Sequence, residues 1–249
     1  MKTIHFQLKK NTRLALMLGF LLTLTFGTIN AQGDEKEKSG KISGGYGYFS
    51  LGYTQLDLGP TNTFMNGVNY SDFANNHITI GGGGFVMVKN LILGGEGHSL
   101  LSQEAKSTQQ NALLSGGWGQ FQIGYIVLAR RGFILYPRFG VGRYNHSLLL
   151  TNTAGNSTNV NDFLNGNFNG TEIIRKGMLL SGELGFEFMP GFDENSGSGL
   201  TFGLNVGYNY AASSNAWTAY QVELQNGPDL NMSGIYARLR IGFGGWHRQ

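Results

Sequence analysis

The sequence predicts an all-β fold, an eight-stranded antiparallel up-and-down transmembrane β-barrel preceded by a cleavable signal peptide. Three observations carry this expectation. Eight stretches set aliphatic or aromatic residues on one strand face and glycine, polar or charged residues on the other, an export signal stands in front of them, and the connections alternate between short and long.

The alternation is plainest where Leu200, Phe202, Leu204, Val206, Tyr208 and Tyr210 interleave with Thr201, Gly203, Asn205, Gly207 and Asn209. Successive side chains of a strand point to opposite faces, so one face is apolar throughout. A soluble sandwich has the same period but turns its apolar face to a dry core, so direction separates the two folds.

Residues 1–31 read as the signal peptide: Lys2, Lys9, Lys10 and Arg13 precede the apolar run Leu14–Phe26, and Ala31 offers a small residue for cleavage. That run is too short for a membrane-spanning helix, and no other stretch approaches the roughly 20 apolar residues required. Residues 32–43, with Asp34, Glu35, Lys36, Glu37 and Lys38, read as a solvated periplasmic tail, and 44–249 as the barrel domain. The chain carries 18 basic against 15 acidic residues; without the four basic residues of the signal the balance is −1, so charge gives no reason to expect a nucleic-acid partner. Absence of cysteine excludes a disulfide framework and a thiolate metal site. Forty glycines, 13% charged and 12% aromatic residues suit neither an average soluble domain nor a disordered chain.

The expected strands are Tyr46–Leu56, Ile78–Val88, Leu91–Leu101, Leu113–Leu128, Phe133–His146, Lys176–Met189, Leu200–Tyr210 and Ser233–Phe243. The tight connections Lys89-Asn90 and Ala129–Gly132, with the longer Pro190–Gly199, belong on the periplasmic side. Asp57–His77, Ser102–Ala112, Ser147–Arg175 and Ala211–Met232, rich in Asn, Ser, Thr and Gly, read as surface loops. Asn156-Ser157-Thr158 in the third is not read as a glycosylation site. Pro137 removes a ladder donor within the fifth strand, which predicts a bulge there. Eight strands enclose a space that side chains just fill, so no open pore is expected.

With the apolar set outward, Glu96, His98, Gln120, Gln122, Tyr136 and Arg138 turn inward, as do Glu183, Glu187, Arg238 and Arg240. Three carboxylates and three guanidinium groups in one narrow enclosure predict a paired charge network: Glu96, Arg138, Glu183, Glu187, Arg238 and Arg240. On the outer face, the two-residue turn after Val88 sets Gly84 opposite Gly95 and Gly82 opposite Gly97. These four form a dent bordered by Ile78, Ile80, Val86 and Leu93. Such a dent either admits a partner protein or lipid chain, or relieves strain in a curved sheet. Arg143 and Lys176, outward at the loop-side ends of adjacent strands, are candidate contacts for lipopolysaccharide phosphates, a solvated rim being the alternative. Tyr53, Tyr125, Tyr208, Tyr210 and Trp246 fall near strand ends, where rings favour the interface.

No catalytic residue, metal ligand or cofactor site is expected. His98-Ser99 and His146-Ser147 are adjacent pairs whose members face opposite sides of a strand. His5, His77 and His247 are scattered, and Gly81–Gly84 lacks the lysine and helix of a phosphate-binding loop.

The export signal, the alternating segments, the charged lumen and the final strand Gly234–Phe243 resemble the small eight-stranded outer-membrane barrels, the OmpA transmembrane domain, OmpX and OmpW group. The likeness covers Tyr46 to Trp246. The final segment looks like the signal read by the barrel-assembly machinery, although Gly244–Gln249 follows Phe243 where the family often stops on an aromatic. The glycine-rich strands and the Ala31-Gln32 junction resemble secreted barrels of Bacteroidota. The length after the last strand leaves no room for the peptidoglycan-binding domain of OmpA-type proteins. The resemblance implies residence in the Gram-negative outer membrane among its lipid and lipopolysaccharide. The first expectation is a non-enzymatic barrel with an envelope role, or an accessory subunit docked to a larger outer-membrane protein partner through its glycine-rich wall. The alternatives are a narrow OmpW-like channel for small or hydrophobic solutes and a lipid A modifying enzyme.

Overall fold

The computed structural model describes residues 41–108, 110–130, 132–152, 170–191 and 198–248. The signal peptide, most of the charged tail and Asn156-Ser157-Thr158 lie outside these residues. In chain order the elements are β1 (Ile42–Leu56), α1 (Gly59–Asn66), β2 (Asn76–Val88), β3 (Leu91–Lys106), β4 (Gln110–Tyr125) and the short β5 (Leu128–Arg130). They continue with β6 (Phe133–Asn152), β7 (Gly170–Phe188), β8 (Ser198–Ser214), β9 (Trp217–Ala219), β10 (Val222–Leu224) and β11 (Gly234–Arg248). The long strands pair antiparallel in the order β1, β2, β3, β4, β6, β7, β8, β11. β11 then closes onto β1 from Ile42↔Arg248 to Leu56↔Gly234. This is the expected eight-stranded closed barrel, in which each long strand has a partner on both sides.

Direction is settled by exposure. Phe49 is 82% exposed and Leu51 55%, while Ser50 between them is 5% exposed. The same contrast holds on β8, where Phe202, Leu204 and Val206 are exposed and Thr201 and Asn205 buried. A wall of large apolar side chains turned outward has the character of a lipid-facing surface. Lys89 and Asn90 take φ of 51° and 76°, the mirror-image turn that suits twisted strands, and the register is as expected: Gly82↔Gly97, Gly84↔Gly95 and Val86↔Leu93.

The interior has three levels. At the turn end, Ile42, Tyr46, Phe85, Met87, Ile92, Ile134 and Met189 form one apolar cluster with Trp246. Charged groups fill the middle. At the mouth a second apolar cluster joins wall residues such as Leu100, Leu114, Tyr144 and Leu179 to Leu58, Met65, Phe73, Trp217, Leu230 and Met232 from the connections. The first connection is therefore not a plain surface loop. Pro60 opens α1 at a position where its missing N–H costs nothing, and the helix buries Met65. Asn62 then binds the Phe73 backbone twice, its Nδ2 donating to the carbonyl and its Oδ1 accepting from the amide, both at 2.9 Å. Thr61 Oγ1 donates to the Asp229 carbonyl at 3.0 Å, which ties this cap to the last connection.

Several boundaries differ from expectation. β1 begins at Ile42, β3 reaches Lys106 with β4 starting at Gln110, and β6, β7 and β8 all extend past the expected loop-side ends. Apolar alternation stops where lipid stops, but ladder pairing does not. Ala105 pairs with Ala112 in the stretch expected as a loop, and both are buried under the cap. Beside Pro137 the irregularity falls on the partner strand: β6 pairs with β7 without interruption, whereas β4 ends at Tyr125 and pairing resumes at Leu128↔Leu135, one residue out of step. Proline cannot supply the ladder N–H, so it is the neighbour that bends. The expected strand Leu113–Leu128 is thus broken. Unforeseen register shifts occur between Leu100 and Gln103 and between Met178 and Leu179. Trp246 is not an interface anchor. It shares the inward parity of Arg238 and Arg240, is 2% exposed, and its ring lies 6.4 Å from that of Tyr46.

Candidate functional site

The six charges expected inside the lumen do meet. Glu96 on β3 is their centre. Its Oε1 accepts from Gln120 Nε2 at 2.8 Å and from Arg238 Nη1, and its Oε2 accepts from Tyr48 Oη and Arg240 Nη2, each at 2.8 Å. Arg138 Nη2 approaches the same oxygen at 3.4 Å. Glu183 on β7 receives Arg138 through Nε at 2.7 Å and through Nη2, and also takes Asn205 Nδ2 at 3.0 Å and Tyr236 Oη at 2.8 Å. Glu187 sits nearer the turn end, accepting from Tyr136 Oη at 2.8 Å with Arg240 Nη1 at 3.6 Å.

All six charged side chains are buried, so their desolvation penalty is large and only pairing makes them tolerable. Three positive groups face three negative ones, and aromatic faces cover the guanidinium planes. Arg238 lies 3.7 Å from the Tyr236 ring centroid, Arg240 4.2 Å from Tyr48, and Arg138 5.3 Å from Phe85. Sequence reasoning missed Tyr48, Ser50, Tyr236, Asn205 and Ser181 as members of this network. Their inward parity was the available signal. The inward glycines make room for it: a β-carbon on Gly83 would lie 2.8 Å from that of Glu96.

Ser50 Oγ stands 3.3 Å from His98 Nδ1, and His98 Nε2 3.3 Å from Glu96 Oε1, an order shared with hydrolytic triads. The surroundings oppose that chemistry. Arginines already occupy the carboxylate, Ser50 and His98 are buried, and apolar clusters fill the lumen above and below. Ser99 is exposed on the outer face, away from its neighbour His98. Ser147 donates to Glu172 Oε1, not to His146. Gln122 is inward and buried.

On the outer face the glycine dent is present and larger than expected. One row runs Gly47, Gly84, Gly95 and then Phe121; the next runs Phe49, Gly82, Gly97 and Gly119. A β-carbon on Gly82 would lie 2.6 Å from the Tyr48 carbonyl oxygen, so the backbone itself requires that glycine. On Gly95 and Gly97 it would meet nothing nearer than 3.5 and 3.7 Å, and on Gly47 and Gly119 nothing nearer than 3.8 and 3.9 Å. Arg143 and Lys176 are both exposed on the outer face; Arg143 pairs with Met178 and Asn145 with Lys176, which makes the two cations diagonal neighbours.

No family model matches the sequence, and no curated protein matches it. Among solved structures the chain is similar to Ail, the attachment invasion locus protein of Yersinia pestis, at 8% identity and a TM-score of 0.42, over 83% of this chain and 98% of that one. It is similar to Neisserial surface protein A at 9% identity and 0.38, over 82% and 97%. It is also similar to the outer membrane protein AlkL at 12% and 0.35, over 88% and 96%. At these values the likeness carries no argument about activity, and the barrel assignment rests on the strand pairing described above.

Proposed function

We propose that this chain is an exported, non-enzymatic barrel of the Gram-negative outer membrane that acts through its walls and not through its lumen. It serves in envelope structure or as an accessory subunit docked to a larger outer-membrane protein. The carrying observation is the filled interior: an apolar cluster at the turn end, a paired charge network in the middle, and a cap of α1 and the last connection in the mouth. Packing of this kind argues against a conduit for solutes. The glycine wall supports the accessory version, because Gly47, Gly95, Gly97 and Gly119 lack side chains that the barrel itself has room for. In a bilayer, small residues let a second surface approach closely, and packing drives the association. Biogenesis through the barrel-assembly machinery belongs to the same reading.

Two measurements test it. Purified chain in planar bilayers is expected to show no conductance steps, and a reproducible channel would replace this reading with the transport one. A photo-crosslinking side chain at Gly97 in intact cells is expected to capture one discrete protein. Crosslinks to lipid alone would remove the accessory role and leave the structural one.

A further inference from the structure

The outer end of β7 is bordered differently from the rest of the wall. β8 leaves β7 at Gly177↔Ser214, and beyond that point β9 takes over the same edge through Ile174↔Thr218. Thr218 Oγ1 donates to the Ile174 carbonyl at 3.2 Å, and the Asn215 amide donates to the Lys176 carbonyl at 2.8 Å, so the β9–β10 hairpin is anchored to the rim. Its tip, Tyr220 and Gln221, takes φ of 49° and 68°, a tight turn that displays the Tyr220 ring with 80% of its surface exposed. Between this hairpin and the outward face of β6 and β7 lies an open cavity of about 430 Å³. Leu149, Glu172, Ile174, Lys176, Tyr220 and Gln221 line it.

The cations near this rim differ in their partners. Arg175, on the inward face of the same strand, is held by Asp229 at 3.1 Å, and Lys106 by Glu104 at 3.3 Å. Among the described residues neither Arg143 nor Lys176 has an ion-pair partner. They are diagonal neighbours, with side chains rooted about 7–8 Å apart, a gap that two long cations close around one tetrahedral anion. Arg143 is ten residues above Phe133. For tilted strands this is about 25 Å, the height of the apolar band, and it puts both cations at the level of lipid headgroups.

We infer that this rim binds the phosphorylated sugar headgroup of an outer-leaflet glycolipid. The phosphate lies between Arg143 and Lys176, and the sugar enters the cavity against Tyr220, with Glu172 and Gln221 as partners for its hydroxyls. Arg supplies a planar fork matched to phosphate oxygens, Lys a point charge, and an aromatic ring stacks on the apolar face of a sugar. The inference rests on the membrane-facing reading of the outer wall and is independent of the glycine dent.

The test uses the full chain, purified in detergent and loaded with defined lipid A carrying its phosphates or with the same lipid dephosphorylated. Retained lipid is measured by mass spectrometry, and inorganic phosphate and a sugar 1-phosphate are added as competitors. The unmodified chain is expected to retain the phosphorylated lipid at least about tenfold better, the size of one charge-assisted hydrogen bond. Arg143→Gln with Lys176→Gln should abolish that preference, Arg143→Lys should keep part of it, and Tyr220→Ala should weaken both lipids alike. A double variant that keeps the full preference overturns the site, as does complete displacement of lipid by inorganic phosphate, which would make it a free-anion site. Each variant is checked for the gel shift of the unheated, folded barrel. If the unmodified chain fails to insert into liposomes, the membrane reading fails; lost preference with intact insertion counts against the rim alone.

Discussion

On the inner face of the wall Gly83 is pressed against Glu96 and the Gly95 carbonyl, whereas on the outer face Gly47, Gly95, Gly97 and Gly119 meet nothing of their own chain closer than ordinary contact. The charges divide in the same way. Inside, Glu96 and Glu183 are each gripped by several donors; outside, Arg143 and Lys176 stand without a paired anion among the described residues. One sheet therefore carries two kinds of surface. The inner one is closely packed, with glycines such as Gly83 making space for large neighbours, and the outer one has features that the fold does not use. Stability should reside in the first and recognition in the second.

The largest expected effect breaks the inner face. Arg138→Ala leaves Glu183 and Glu96 buried with too few partners and should cost about 3–5 kcal/mol. Thermal unfolding in detergent, followed by the mobility of the folded band, checks this, and an unchanged melting temperature would falsify the network. Tyr48→Phe removes one donor from Glu96 while the arginines remain, at about 1.5–3 kcal/mol by the same assay. A loss as large as that of Arg138→Ala would mean that the hydroxyl, not the guanidinium, is the mainstay.

Gly83→Ala sharpens the contrast, because its new carbon collides with rigid backbone and should destabilise by about 1–3 kcal/mol. Gly97→Ala has room and restricts the unfolded chain, so its stability should change by no more than about 0.5 kcal/mol or rise slightly. If Gly97 is a docking position, the same variant should still lower the yield of the crosslinked partner. Equal destabilisation by the two alanines would erase the distinction between the faces.

Much of the fold was legible because barrel strands repeat one local rule. Parity alone assigned Glu96, Arg138, Glu183, Glu187, Arg238 and Arg240 inward and Arg143 and Lys176 outward, and a two-residue turn was enough to set the register of β2 and β3. The expectation failed at Trp246, where nearness to a strand end was weighed above parity. It also ended β3 too early, since polar residues such as Glu104 pair as well as apolar ones once the strand has left the lipid. The cap was hidden for a different reason. Leu58, Met65, Leu230 and Met232 are spaced irregularly in connections with no period, so nothing local marked them as interior.

Local chemistry thus determined the class of fold, the direction of each side chain along the strands and the inventory of lumen charges. Alternation and turn conformation act over a few residues and leave a trace in the sequence. Only closure decided that Glu96 from β3 lies against Arg238 and Arg240 from β11, that the first and last connections join in one plug, and that a hairpin forms a cavity beside Lys176. Those contacts join segments far apart in the chain, and their partners follow from how the sheet curls to meet its own first strand, a property of the whole wall.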